Sequence, residues 1–267
     1  MGHDVENRID AALRGSPPGL WPFLAAGYPD IATTCELLRA MAELPIRGVE
    51  LGFPFSDPIA DGPVIQAAFT HALTAGLRVD DIFDMVRTAR RNGVAYPIVA
   101  MVSASIVYRR GVDLFVTRAA ESGFDGLIVP DLSLEEAPTL SKACDKAHLR
   151  LCMLIAPTTP ADRRRRIADA ASGFLYYVSV QGVTGQRDAL PVDLSAQVRQ
   201  IKTTTGRPVL VGFGISQPAH VREVCSYADG AIVGSAIVRR MAEAHSTGVS
   251  RQELLRGTVD QVRSLTS

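Results

Sequence analysis

Residues 47–63 have the sequence RGVELGFPFSDPIADGP. It passes from a short apolar run, Arg47–Gly52, into a loop that contains three prolines. Continuous short apolar runs bounded by Gly and Pro are typical of parallel strands that are buried on both faces. Because proline fixes the backbone angle φ, the loop after the run is stiff. The segment therefore predicts a buried strand that leads into a rigid loop.

Apolar runs of the same kind recur along the chain, and segments with helical periodicity separate them. Eight units of strand and helix are the number that closes a (β/α)8 barrel. The predicted fold class is therefore α/β, a (β/α)8 TIM barrel, in a single domain over residues 1–267. An open doubly wound sheet is the alternative, but the first run lacks the G-x-G-x-x-G sequence that usually follows it in such folds. The eight runs are Leu20–Ala26, Arg47–Gly52, Pro97–Val102, Gly126–Val129, Leu149–Ile155, Gly173–Ser179, Pro208–Gly212 and Gly230–Val233.

Helix signals lie between and around these runs. We predict an additional N-terminal helix, Val5–Leu13, that covers the bottom of the barrel, and a closing helix that begins at Ser250. Asp30 and Ser216 are of the residue types that cap helix N-termini, so we expect a helix after each. The glycines predicted to end helices are Gly93 and Gly206, and the residues predicted to share the apolar face of the helix after Asp30 are Ile31, Cys35, Leu38, Met41 and Ala42.

Composition excludes several classes of protein. The chain has 28 basic and 28 acidic residues, so its formal net charge is zero, which argues against nucleic acid or an anionic membrane as a partner. No apolar run reaches the roughly 18 residues of a membrane-spanning helix, and the polar N-terminus does not resemble a secretory signal. The four cysteines follow no disulfide or metal-binding pattern, and we expect them to be small core residues. These observations predict a cytoplasmic enzyme.

Two acidic residues are candidates for catalysis. Glu50 lies inside an otherwise apolar strand, where burial disfavours the charged carboxylate and raises its pKa toward the range useful for proton transfer. The alternative is that Glu50 points into the lower barrel and pairs with a basic residue. Asp61 follows across the proline-containing loop, which can fold back and hold a second carboxylate opposite Glu50.

Glycines after the last two strands suggest an anion site. Gly214 and Gly234 would let backbone N–H groups approach an anion, and a helix that starts at Gly234-Ser235 would add its positive end. Barrels commonly bind phosphate at this position, although ordinary strand-to-helix turns also use glycine. The loop Gln181–Leu190 contains Gly185 and has the composition of a mobile lid. A plain surface loop is the alternative.

Aromatic and basic residues near the strand ends complete the set of candidates. The run Arg163–Arg166 is flanked by acids, and we interpret it as the solvated face of a helix. The aromatic residues that could line a flat pocket are Phe23, Phe53, Phe55, Tyr176 and Phe213, although each alone is more often part of a core.

Taken together, these residues resemble the family of tryptophan synthase α subunits. The segment ELGFPFSDPIADGPVIQ, Glu50–Gln66, resembles the signature of that family almost position for position. The segments GVTGQRDAL, GFGIS and VGSAIV follow in the expected order, so the resemblance covers essentially the whole chain. It implies a barrel lyase that cleaves indole-3-glycerol phosphate to indole and glyceraldehyde 3-phosphate by a retro-aldol reaction, with no metal or organic cofactor.

The resemblance also implies residue roles and a partner. Glu50 and Asp61 match the catalytic acids of the family, and the partner implied is a β subunit, in an α2β2 complex, that carries pyridoxal phosphate. The residues that match the phosphate cradle are Gly185, Gly214, Gly234 and Ser235, and those that match the lid and the indole pocket are Phe23, Tyr176, Thr184 and Phe213.

The chain departs from the family after the third strand. Ser103 and Ser105 occupy positions where the family usually has Tyr and Asn, in a loop that lines the pocket and faces the β subunit. This difference affects the expected coupling to a partner more than the carboxylate chemistry. Two alternatives to the lyase stay open: another phosphosugar barrel enzyme such as an isomerase, and a catalytically weak subunit that mainly regulates a partner.

Overall fold

A computed structural model describes residues 6–56, 61–178, 190–212 and 214–267 of the chain. Eight parallel strands form a closed barrel in which each strand pairs with the next in sequence and the eighth pairs with the first. This order confirms the predicted (β/α)8 barrel. The open doubly wound sheet is excluded, because such a sheet has two unpaired edges.

The eight strands correspond to the eight apolar runs of the sequence, each within two residues of the predicted start. They are β1 (Gly19–Ala25), β2 (Val49–Gly52), β3 (Ile98–Met101), β4 (Gly126–Ile128), β5 (Arg150–Ile155), β6 (Leu175–Val178), β7 (Val209–Gly212) and β8 (Gly230–Val233).

Helices of the described segments surround the barrel and follow its strands. They are α1 (Arg8–Arg14), α2 (Ile31–Met41), α3 (Pro63–Thr74), α4 (Val79–Arg91), α5 (Ala104–Arg110), α6 (Val112–Ser122), α7 (Ala137–Lys146), α8 (Ala161–Ala170), α9 (Leu194–Thr205), α10 (Pro218–Cys225), α11 (Ser235–Ser246) and α12 (Arg251–Leu265).

The bottom of the barrel, where the strands begin, is covered by α1. The predicted helix Val5–Leu13 is confirmed in position, although the helix begins at Arg8 because Asn7 caps it through a side-chain bond to the Ile9 N–H. Asp125, immediately before β4, is buried and pairs with Arg90 at 2.6 Å. This buried charge at the bottom of the barrel is therefore satisfied by an ion pair.

The barrel interior is filled by aromatic side chains that pack against glycines. A Cβ on Gly48 would overlap the ring of Trp21, and one on Gly52 would lie 2.5 Å from the ring of Phe23. Successive side chains of a strand alternate between its two faces, so Gly48, Glu50 and Gly52 share one face. Trp21 and Phe23 share the facing side of β1. The space that these glycines leave is therefore taken by large rings, with Glu50 between the two layers.

In the described segments three strands, β2, β3 and β8, are each followed by two helices. The first helix after β2 and the first after β8 begin at the top of the barrel, where the strands end. The helix α3 lies between the loop after β2 and α4, and α11 lies between β8 and α12. They pack against each other and against β1. Their N-termini follow Asp61 and Gly234 closely, so both start beside the predicted site.

Most predicted helix boundaries are confirmed, and one detail is wrong. Asp30 accepts a bond from the Thr33 N–H as the N-cap of α2, Gly206 ends α9, and α12 follows Ser250. Gln217, not Ser216, is the N-cap residue of α10, because Pro218 at the first helical position shifts the start by one residue. Gly93 follows the end of α4 as predicted, with a positive φ of 88°.

The predicted apolar face of α2 is partly wrong. Leu38 and Met41 are fully buried, but Ile31 is 38% exposed and Ala42 is exposed. Thr33 and Thr34 are buried instead. They occupy the inner face because their hydroxyls bond to the residues that start the helix.

None of the helices that the structure describes is long and apolar enough to cross a membrane. Cys144 and Cys152 are buried, whereas Cys35 and Cys225 are only partly buried, and all four are free thiols. The prediction of small core residues is therefore met in full by the first two. Residues Arg163–Arg166 lie in α8, where Arg166 is largely exposed, as predicted for a solvated face.

Candidate active site

Glu50 lies inside the upper half of the barrel. Its backbone pairs with Phe23 of β1 and Val99 of β3, and its side chain shares the interior face with glycines 48 and 52. The residue is only 2% exposed, and its Oε2 has no hydrogen-bond partner among the described residues. The alternative in which Glu50 pairs with a basic residue is therefore not supported by any ion pair of the described segments.

Burial changes the proton affinity of Glu50. Loss of solvation raises the pKa of its carboxyl to about 8, and the negative charge of Asp61 contributes to the increase. A carboxyl group with this pKa is mostly protonated at neutral pH, so it can donate a proton. The electrostatic effect of Asp61 also shows that the two carboxyl groups are close enough to interact.

Asp61 is held at the mouth of the barrel by the start of α3. Gly62 is the N-cap residue of this helix and Pro63 occupies its first turn, where the missing N–H of proline costs nothing. The side chain of Gln66 donates a hydrogen bond to the Asp61 carbonyl oxygen at 2.8 Å. Burial raises the pKa of the Asp61 carboxyl to about 6, so it is mostly ionised at neutral pH.

Phe23 and Tyr176 face this pair of acids from other strands. The ring of Phe23 lies against Gly52 on one side and Gly234 on the other, since Cβ atoms there would lie 2.5 Å and 3.3 Å from it. The hydroxyl of Tyr176 lies against Gly212 of β7. Burial raises the pKa of Tyr176 well above its ordinary value, and the negative charges of Glu50 and Asp61 add to the effect. The side chains of all three residues therefore lie close enough to interact electrostatically.

Two other aromatic residues were expected near this pocket. Phe53 is buried outside the barrel, where its ring packs against Phe83, Phe115 and Phe124, and the expectation that it lines the pocket is wrong. Its side chain points away from the interior because side chains alternate along a strand, and Gly52 before it faces inward. Phe55 is half-buried.

The predicted anion site lies at the start of α11. Gly234 is its N-cap residue and Ser235 its first residue, directly after β8. The first N–H groups of a helix have no partner within the helix, and the helix dipole favours an anion there. Gly214, after β7, has a positive φ of 78°, which glycine adopts without strain. The other predicted site residues, Thr184, Gly185 and Phe213, lie outside the described residues, as does most of the predicted lid.

Comparison with known families gives a match over nearly the whole chain. The sequence model of the tryptophan synthase alpha chain family matches residues 11–264. The chain belongs to this family.

Relatives in the family are similar over most of their length. The tryptophan synthase alpha chain of Rhodopirellula baltica is 47% identical over 236 residues, which cover 87% of this chain and 85% of the relative. That of Prochlorococcus marinus strain MIT 9313 is 47% identical over 250 residues, which cover 93% and 90%.

Solved structures agree with the sequence match. The tryptophan synthase α subunit of Legionella pneumophila strain Paris superposes with a TM-score of 0.88 at 35% identity, over 98% of each chain. The tryptophan synthase α subunit of the hyperthermophile Pyrococcus furiosus superposes with a TM-score of 0.83 at 35% identity, over 93% of this chain and 97% of that one.

Membership in the tryptophan synthase alpha chain family determines the activity. The chain is a lyase of tryptophan biosynthesis that cleaves indole-3-glycerol phosphate to indole and glyceraldehyde 3-phosphate by a retro-aldol reaction. The prediction from the signature Glu50–Gln66 is thereby confirmed at the level of the reaction. An unrelated phosphosugar isomerase is excluded.

Sequence reasoning missed two residues near this site. Gln66 belongs to the quoted signature but was given no role, although its side chain holds the Asp61 backbone. Asp131 follows β4 and bonds to the first turn of α5. The Pro-Asp pair at residues 130–131 has the composition of an ordinary turn, and only the barrel topology brings it beside the end of β3.

Proposed function

We propose that Glu50 and Asp61 are the two catalytic acids of the retro-aldol cleavage. Glu50 is the proton donor and Asp61 the ionised carboxylate that stabilises positive charge on the indole ring. Support comes from their opposite states at neutral pH, since the pKa of Glu50 is about 8 and that of Asp61 about 6. Two carboxyl groups whose environments separate their pKa values are typical of an acid–base pair.

The order of proton movements follows from the electronics of the ring. Glu50 protonates C3 of the indole, and the ring nitrogen N1 becomes positive. Asp61 accepts a hydrogen bond from N1–H and stabilises that charge where it develops. The Glu50 carboxylate then removes the proton of the side-chain hydroxyl, the bond to C3 breaks, and its electron pair returns to the ring. The products are indole, which keeps the first proton at C3, and an aldehyde, and Glu50 ends the cycle protonated again by the proton of the hydroxyl.

The remaining site residues are proposed to bind the two ends of the substrate. Phe23 and Tyr176 pack against the indole. The backbone of Gly214 and Gly234, with the hydroxyl of Ser235, binds the phosphate, whose remote contacts position the ring between the acids. Thr184, Gly185 and Phe213 are assigned to the same site from the sequence alone.

We further propose an assembly and a location. The family name describes one chain of a synthase with more than one kind of chain, which implies a β subunit as partner. An α2β2 complex, a cytoplasmic location and a single domain over residues 1–267 complete the proposal. Mixing purified chain with β subunit and measuring the mass by light scattering tests the stoichiometry, and a mass other than that of two chains of each kind contradicts it.

The assignment of the acids is tested by the pH profile of indole release from indole-3-glycerol phosphate. We expect kcat/KM to rise through pH 6 as Asp61 ionises and to fall above pH 8 as Glu50 loses its proton. Glu50→Gln should lose nearly all turnover while the substrate still binds. The exposed Glu43 provides a matched control as Glu43→Gln, which should behave as wild type. Near-normal turnover of Glu50→Gln would remove Glu50 from the mechanism.

A second candidate is a catalytically weak subunit that mainly regulates its β partner. The observation that favours it is the pair Ser103 and Ser105 at positions where the family usually has larger side chains. Indole release with and without the β subunit separates the two candidates. A chain that turns over substrate at a useful rate by itself is a full lyase, whereas one that is active only in the complex, and changes the β reaction, supports the second candidate.

A further inference from the structure

The loop after β4 holds the first turn of α5 through one carboxylate. Asp131 Oδ1 accepts a hydrogen bond from the Ala104 N–H at 2.8 Å, and Asp131 Oδ2 accepts one from the Ser103 hydroxyl at 2.7 Å. The same hydroxyl oxygen lies 2.9 Å from the Ser105 hydroxyl and accepts a weak bond from the Ser105 N–H. Both oxygens of Asp131 therefore hold the corner formed by residues 103–105 in place.

The corner stands where the chain leaves the barrel. The last ladder bond of β3 on this side runs from the Val102 N–H to the Ile128 carbonyl oxygen, at 2.9 Å. The next residue, Ser103, is already the N-cap of α5. A helix of seven residues is marginal by itself, so its position depends on contacts at its ends. The Asp131 carboxylate supplies those contacts at the N-terminus.

The strand that leads into this corner, β3, pairs with the strand that carries Glu50. Met101, two residues before Ser103, pairs in register with Gly52, which is itself two residues after Glu50. Its side chain is half-buried at the mouth of the barrel. A displacement of the start of α5 therefore moves the wall of the mouth between β3 and β4, whereas Glu50 and Asp61 are held by β2 and α3.

We propose that Asp131 is a positioning residue for the lyase reaction, which acts through Ser103 and the start of α5 to set one wall of the substrate pocket. Charge-assisted hydrogen bonds from two groups to one carboxylate are stronger than neutral ones and fix direction as well as distance. The inference rests on the lyase activity and not on the roles given to the two acids. Its failure and theirs are therefore distinguishable.

The test is the steady-state kinetics of indole release by Asp131→Ala, Ser103→Ala and Ser103→Thr. We expect Asp131→Ala to raise KM on the order of tenfold with kcat changed much less, since misplacing a pocket wall by about 1 Å has effects of that size or larger. Ser103→Thr keeps the hydroxyl and should keep the wild-type KM, whereas Ser103→Ala should raise it. Asp145→Ala, at an exposed position near the opposite end of the barrel, is the matched control.

A merely structural role would give a different result. If Asp131→Ala lowers the melting temperature but leaves KM unchanged, the proposal is overturned. It is also overturned if kcat falls at constant KM, or if Ser103→Thr is as impaired as Ser103→Ala. Loss of turnover in Glu50→Gln leaves the proposal untouched, because that result concerns the acids alone.

Discussion

Replacing Glu50 by Gln should stabilise the fold while it removes activity, and the gain should depend on pH. Folding moves the carboxyl from water, where its pKa is 4.5, into the barrel, where the pKa is about 8. Between these two values the folded protein keeps a proton that the unfolded chain has lost. Stability is therefore lost as the pH rises through this window and is constant below and above it.

The magnitude follows from the size of the shift. Each pH unit between the two pKa values lowers the free energy of unfolding by about 1.4 kcal/mol. Burial of Glu50 therefore lowers it by about 3 kcal/mol at pH 7 and by about 5 kcal/mol above pH 8. At pH 5 the decrease is under about 1 kcal/mol by the same relation. Gln has the same shape and no charge to lose, so Glu50→Gln escapes this cost at every pH.

The measurement is urea unfolding of both proteins at pH 5 and pH 8, with Glu43→Gln as the exposed control. We expect the free energy of unfolding of Glu50→Gln to exceed that of wild type by about 4 kcal/mol more at pH 8 than at pH 5. The difference between the two pH values cancels any constant packing penalty of the amide. A difference that is independent of pH would refute the claim that Glu50 is desolvated in the folded protein.

Three further substitutions test other parts of the site and the fold. Gly234→Asp should raise KM about tenfold or more, because it places a negative charge beside the substrate phosphate. Gly234→Asn is the uncharged control. An unchanged KM in Gly234→Asp would mean that the anion binds elsewhere. Gly212→Ala should lower kcat/KM for indole release, because its Cβ would overlap the Tyr176 hydroxyl, whereas Gly15→Ala, whose nearest atom would be 3.6 Å away, should not. Asp125→Asn should lower the free energy of unfolding by about 3 kcal/mol, because it removes the carboxylate charge that faces the largely buried guanidinium of Arg90. It should leave KM and kcat unchanged at a temperature where the protein stays folded.

The strands could be predicted from the sequence because burial on both faces demands uninterrupted apolar residues. No other element of a barrel has that requirement, so each run between Gly or Pro identifies a strand. The helix faces were harder. In α2 the buried positions include Thr33 and Thr34, whose hydroxyls bond to the Asp30 side chain and to the Gly27 N–H. Hydropathy places such residues outside, and only the local hydrogen bonds explain why they lie inside.

The site residues also divide into those that the sequence pattern reveals and those that depend on contacts in the folded chain. Glu50 could be identified from the sequence because a carboxylate within an otherwise apolar strand is unusual, and the sequence alone shows it. Asp131 could not, because a Pro-Asp pair after a strand is ordinary and its partners belong to a different loop. The anion-binding role of the glycines stays a prediction. Gly234 was assigned to an anion, but it also makes room for the ring of Phe23.

The two ends of the barrel place buried carboxyl groups in opposite surroundings, and the contrast is consistent with the proposed position of the site. At the bottom, Asp125 forms ion pairs with Arg8 and Arg90. At the top, Glu50 borders Phe23, Val99 and a second carboxylate. A guanidinium in place of Val99 would form an ion pair with Glu50 and hold it ionised, so Glu50 could no longer be the proposed proton donor. Glu50 has no cationic partner among the described residues, so its carboxyl keeps its proton at neutral pH, and its burial lowers the stability of the fold at higher pH.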